Sequence, residues 1–111
     1  MPIAHCHYMP SEGIEIDAQR VLNRWKQLAH CNSEEMTLIT SAISQQAGKQ
    51  YKVVCYLYLP DCWEKTQSEK LQTALSHAVS KELGFSTQHV IVMRGILSSG
   101  FVVENGHIVN W

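Results

Sequence analysis

Lys52-Val53-Val54-Cys55-Tyr56-Leu57-Tyr58-Leu59, followed by Pro60, is the strongest β-strand signal in the chain. β-Branched and aromatic side chains suit a pleated backbone, and the proline ends the run by withholding a ladder donor. Alternation sends Val53, Cys55, Leu57 and Leu59 to one side, and Val54, Tyr56 and Tyr58 to the other. A strand apolar on both sides needs cover on both sides.

The elements around this strand form one unit written twice. After it, Thr66 and Glu69 suit a capping box, and Leu71, Ala74, Leu75, Ala78 and Val79 share one helical face. Gly84 is placed to end that helix, and Gln88 to Leu97 reads as the next strand. Before it, Ile3 to Met9 reads as a strand ended by Pro10. Asp17 can cap a helix with Ala18, Val21, Leu22, Trp25, Leu28 and Ala29 on one stripe. Asn32 suits its exit, and Met36 to Ser44 reads as another strand. Matching elements lie about fifty residues apart, the size of one βαβ unit.

The expected fold class is α/β, an α+β two-layer sandwich. Right-handed crossovers make each unit's two strands parallel. Two units give a four-stranded sheet with both helices on one face. In the fourth strand, too, Val90 and Val92 oppose Ile91 and Met93, so the uncovered face is expected to meet other subunits. The tail carries Asn105-Gly106 between Phe101-Val102-Val103-Glu104 and His107-Ile108-Val109, a strong two-residue hairpin signal. An isolated hairpin is only marginally stable, so this one is expected to rest on a neighbouring subunit. The chain is one domain, 1–111, with pseudo-repeats at about 2–48 and 51–97 and a tail at 98–111.

Composition narrows the function. With 111 residues and a formal charge of −1, the chain has no basic footprint for nucleic acid or an anionic membrane. No apolar run is long enough to span a bilayer, and no signal peptide is evident, so a soluble cytoplasmic protein is expected. Cys6, Cys31, Cys55 and Cys62 form no CxxC, and Cys6 and Cys55 sit inside apolar runs, which suits free thiols in a reducing compartment. The nucleotide-binding, zincin and serine-hydrolase motifs are missing. His5 and His7 share a strand face and would need a third ligand such as His107 to bind zinc or copper; no metal site is expected.

The N-terminus offers the candidate chemistry. Removing Met1 would leave Pro2 with a free secondary amine. An α-amino group titrates at about pH 8 in water, and burial moves it toward neutrality, where a general base works best. Arg94, near the end of the fourth strand, suits either a carboxylate ligand or an ion pair with Glu82. Lys65 is either a substrate anchor or a solvated helix-start residue. Glu104 on the hairpin suits orienting a water or simple solvation, and Trp63 and Trp111 suit a pocket wall or subunit packing.

Pro2-Ile3-Ala4, with His7 further along the strand, resembles the opening of mature 4-oxalocrotonate tautomerase (4-OT). The doubled βαβ layout and terminal hairpin resemble the longer members of the tautomerase superfamily, including macrophage migration inhibitory factor and the cis-3-chloroacrylic acid dehalogenases. The resemblance covers nearly the whole chain as a pattern. It implies a homotrimer with inward-facing sheets and a cofactor-free site in which Pro2 is a general acid or base on a small carbonyl or enol substrate. It also shows departures. Glu12 stands where 4-OT carries an arginine, and Thr37-Leu38-Ile39-Thr40-Ser41 contains none. Ile91 and Met93 take the places of the pocket-lining tyrosine and asparagine of macrophage migration inhibitory factor. Dehalogenase-like members have paired arginines after the third strand, where this chain has only Lys65. The expected activity is a keto–enol tautomerase or isomerase with Pro2 as catalytic residue and Lys65, Arg94, Ile91 and Met93 at the substrate. The alternative is an inactive trimer of the same fold that binds a partner or small ligand.

Overall fold

Two helices and a four-stranded sheet carry the core of the computed structural model, which describes residues 1–11 and 15–111. The order is β1 (Ile3–Tyr8), α1 (Ala18–Ala29), β2 (Thr37–Ala42), β3 (Val53–Pro60), α2 (Lys65–Leu83), β4 (Val90–Leu97), β5 (Val102–Glu104) and β6 (His107–Val109). The sheet runs β2-β1-β3-β4, with β1 parallel to β2, β3 parallel to β4, and β1 antiparallel to β3. Each βαβ unit therefore supplies two neighbouring strands, and the units join along β1 and β3. The tail forms a separate antiparallel hairpin, β5-β6, turning at Asn105-Gly106.

The apolar stripes drive this layering. Val21, Trp25 and Ala29 of α1, and Leu71, Ala74, Leu75, Ala78 and Val79 of α2, are buried against Ala4 and Cys6 of β1 and Val53, Cys55, Leu57 and Leu59 of β3. Burying each large aliphatic side chain contributes roughly 1.5–3 kcal/mol. Trp25 is fully buried, and its indole N–H donates to the Leu71 carbonyl at 2.9 Å, which fastens α1 to α2. The opposite face is open in the protomer: Ile39, Tyr56, Tyr58 and Met93 are exposed there. Tyr58 lies across Gly95, where an added Cβ would come within 2.9 Å of the ring.

The helix ends differ in part from expectation. Asp17 caps α1, its carboxylate accepting from the Gln19 and Arg20 amides. The exit is His30, in the left-handed region at φ 52°, two residues before Asn32. The αL conformation lets the His30 and Cys31 amides bond back to the last turn. The Thr66–Glu69 capping box does not form: α2 begins at Lys65, and its N-cap, Glu64, makes no side-chain cap bond. Thr66 thus lies within the first turn rather than ahead of it. Gly84 ends α2 at φ 77°, as its position suggests.

Candidate active site

Strand direction gathers four segments at one end of the sheet. Ile3 pairs with Thr37 on one side and Tyr58 on the other, and Tyr58 pairs with Gly95. The start of β1 therefore meets the start of β2, the end of β3 and the end of β4. The N-terminus, residues 34–35, the loop 61–64 and the tail converge there.

Pro2 is the pivot of this end. Its side chain is fully buried, and its carbonyl accepts from the Thr37 amide at 2.9 Å, so the first residue of the strand is held in register. Met1 precedes it, half-buried, its amine 3.6 Å from a Glu35 carboxylate oxygen. Met1 lines two adjoining cavities. One, of about 460 Å³, is bounded by Ile3, Glu34, Glu35, Val103 and Glu104. The other, of about 310 Å³, is bounded by Pro60, Cys62, Trp63, Glu104 and Trp111.

The hairpin closes the second cavity within the same chain. The Trp111 indole N–H donates to Asp61 at 2.7 Å, and the Trp111 amide donates to the Ser99 hydroxyl at 2.8 Å. In the protomer the tail is thus tied to the loop after β3, whereas the sequence alone suggests a seat on a neighbour.

The expected substrate residues fall in different places. Lys65 is 82% exposed, lies 3.7 Å from Glu69, and lines neither cavity. Arg94 pairs in register with the buried Leu57 and so sits on the helix side of β4. Its Nη1 is buried without a hydrogen-bond partner among the described residues. The expected partner, Glu82, is engaged instead by Arg24 at 3.0 Å and Arg20 at 3.4 Å, because α1 and α2 pack side by side. Ile91 and Met93 lie on the open sheet face, paired with Val54 and Tyr56, and line neither cavity of the protomer. Glu12 lies outside the described residues. Glu35, Cys62 and Asp61 carry no sequence signal; only the convergence of loops brings them to this end.

A second polar group occupies the open face. The Ser41 hydroxyl lies 3.1 Å from His5 Nε2 and 2.7 Å from His7 Nδ1. The two rings are 4.0 Å apart between centroids, and Tyr56 packs edge-on against His7. Burial first, then the neighbouring His5, hold the His7 imidazole below the ordinary histidine range. No group of three or more His, Cys, Asp or Glu among the described residues is arranged to hold a metal ion. No helix among them is long and apolar enough to cross a membrane.

The architecture has clear counterparts among solved structures. A wild-type symmetric trimer of a fused 4-OT superposes with a TM-score of 0.73, at 18% identity over 96% of this chain and 94% of that one. The chain has the tautomerase-superfamily fold. N1, a member of the cis-3-chloroacrylic acid dehalogenase family, is similar at a TM-score of 0.68 and 14% identity, covering 96% of this chain and 82% of that one. MIF2 of Leishmania major is similar at a TM-score of 0.69 and 11% identity, covering 100% of this chain and 97% of that one. No protein-family profile and no curated protein matches the sequence. The likeness to these structures is therefore one of backbone fold, at 11–18% identity.

Proposed function

We propose that this tautomerase-fold protein is a cofactor-free keto–enol tautomerase that uses Pro2, after removal of Met1, on a small carbonyl or enol compound. The observation that carries the reading is the placement of Pro2: its ring is buried at the head of β1, directly behind the Met1 that lines both cavities. Loss of Met1 would turn the amide nitrogen of Pro2 into a secondary amine facing that space. Burial disfavours the charged amine and brings its titration toward neutrality. The neutral nitrogen would then remove the hydroxyl proton of an enol and return it to the adjacent carbon, giving the keto form. Positioning Pro2 is the role of the Thr37 amide bond and of the packing around the proline ring.

The active form in this reading is a homotrimer built on the open sheet faces; a fused 4-OT of similar fold is a symmetric trimer. Subunit contacts through that face would bring Ile91 and Met93 next to a neighbour. Retention of Met1 supports a second reading. The Met1 amine already lies 3.6 Å from Glu35, and a Pro2 nitrogen locked in an amide has neither basicity nor a proton. The same fold would then serve as a ligand-binding or interaction module.

Intact mass of the untagged protein decides between the two. Loss of one methionine, with ketonisation of phenylenolpyruvate that falls at least tenfold in Pro2→Ala, is the expected result. That factor corresponds to about 1.4 kcal/mol of transition-state stabilisation. Retained methionine, or unchanged turnover in a correctly folded Pro2→Ala protein, would refute the general-base assignment.

A further inference from the structure

Two of the chain's free cysteines meet inside the core. Cys6 of β1 and Cys55 of β3 are register partners, 2% and 0% exposed, with their sulfurs 3.1 Å apart. Strand pairing fixes the geometry behind that contact. Thr37 and Ile43 donate their amides to the Pro2 and Tyr8 carbonyls, so the even-numbered residues of β1 turn their backbone polar groups toward β2. Met9, an odd-numbered neighbour, donates instead to the Lys52 carbonyl just ahead of β3. Cys6 and Cys55 therefore form a non-hydrogen-bonded antiparallel pair, the kind whose Cα atoms stand about 4.5 Å apart. Disulfides take Cα separations of about 4.4–6.8 Å, so the backbone is already in place for one. Both side chains lie among the core residues on the helix side of the sheet. The pair is complete within one chain and lies away from the open face through which copies would meet.

We propose that Cys6 and Cys55 are a redox pair: oxidation by a small-molecule disulfide joins them, and the bond staples the first βαβ unit to the second. Burial keeps the oxidant out and disfavours thiolates, so the exchange proceeds during transient separation of β1 from β3. The thiolate of one cysteine attacks a sulfur of the small disulfide and expels a small thiolate. The thiolate of the other cysteine then attacks the protein sulfur of the mixed disulfide and expels the second small thiolate. Two protein thiols are oxidised, one small disulfide is reduced to two thiols, and two protons pass from the cysteines to the released sulfurs. The strands then re-pair around the bond. The joined residues lie 49 positions apart, so the crosslink removes much freedom from the unfolded chain. The folded chain has only to draw two touching sulfurs together.

Redox titration tests this, with oxidised and reduced glutathione as the probe. Cys31→Ser combined with Cys62→Ser removes the other two thiols. This variant is equilibrated in one glutathione buffer, once folded and once in concentrated urea, then acid-quenched and weighed by mass spectrometry. Loss of two hydrogen atoms marks the disulfide, and a gain of glutathione marks a mixed disulfide. The ratio of disulfide to dithiol is expected to be about a hundredfold higher in the folded protein than in urea. The oxidised form is expected to melt about 10 °C above the reduced form. An equal or lower ratio in the folded protein, or a lower Tm on oxidation, would overturn the proposal. The parent chain gives a second reading that needs no substitution. Non-reducing peptide maps after oxidation are expected to join the Cys6 and Cys55 peptides. A Cys31–Cys62 link, or glutathione on Cys6 or Cys55 in place of their mutual bond, would overturn it equally.

Discussion

Trp111 and Asp61, fifty positions apart in sequence, are joined by an indole-to-carboxylate hydrogen bond of 2.7 Å that fastens the end of the chain to the loop after β3. The bond is exposed, and hydrogen bonds to charged groups contribute about 1.5–3 kcal/mol when shielded and less in water. Its main effect is therefore positional. Asp61→Ala should leave global stability within about 1 kcal/mol of the parent. It should also abolish the hydrogen-exchange protection of the Trp111 indole. A protected indole in the variant would show that packing alone holds it.

Cys6 and Cys55 face each other across β1 and β3, with their sulfurs 3.1 Å apart in the core. The hydrogen bond to Cys6 first, then burial, push the Cys55 thiol far above its ordinary range, so the reactive thiolate is suppressed. Cys62 is exposed in the loop. Thiol titration of the native protein should label Cys62 rapidly and Cys6 and Cys55 only after denaturation. Fast labelling of either core cysteine would mean that β1 and β3 separate readily.

The His7 imidazole is held below its ordinary value of 6.5 by burial and by His5. The unfolded state therefore binds the proton more readily than the folded one. Stability conferred by the neutral ring is fully present above the unfolded value and is lost as pH falls below it. The Tm should drop between pH 7.5 and 5.5, with a smaller drop in His7→Phe. Ser41, His5 and Tyr56 are the groups packed against this ring. An unchanged slope in His7→Phe would assign the loss to other residues.

Tyr56 and Met93 stand side by side on the open sheet face, each 39% exposed. A contiguous apolar face of this kind is expected to meet other copies of the chain. Sedimentation at micromolar concentration should show a mass near three protomers, and Tyr56→Glu should shift it to the monomer by burying a charge against a neighbour. A stable, well-folded monomer of the parent chain would remove the case for assembly.

Substrate charge should be visible in turnover. With no lysine or arginine among the described lining residues, a second carboxylate has no partner. Each charge-assisted hydrogen bond is worth about 1.5–3 kcal/mol, so the missing anchor should cost about tenfold or more. Phenylenolpyruvate, a monoacid, should show a higher kcat/KM than the diacid 2-hydroxymuconate. The reverse order would place a cationic residue of a neighbouring subunit in the site.

Local chemistry made much of the architecture legible. Period-two and period-3.6 patterns locate β1 to β4 and both helices to within a few residues. Gly84 and Asn105-Gly106 mark a helix stop and a hairpin because a glycine relieves the steric cost of positive φ. Asp17 caps α1 because its short carboxylate reaches amides two and three residues on. These features depend on neighbours within about one turn of chain, so the sequence determines them by itself.

The tertiary structure decided what depends on distant partners. His30 rather than Asn32 takes the left-handed exit. α2 starts at Lys65 without the expected box. Glu82 goes to Arg20 and Arg24 because helix packing, not sequence spacing, sets its nearest cations. The candidate site is the clearest case. Pro2 is visible as a residue, but its cavities are assembled from Met1, Glu35, Trp63, Glu104 and Trp111. Parallel pairing within each βαβ unit and antiparallel pairing between the units bring the segments that carry them to one end of the sheet. Their charges and indoles have no common local pattern, and only strand direction and register make them neighbours.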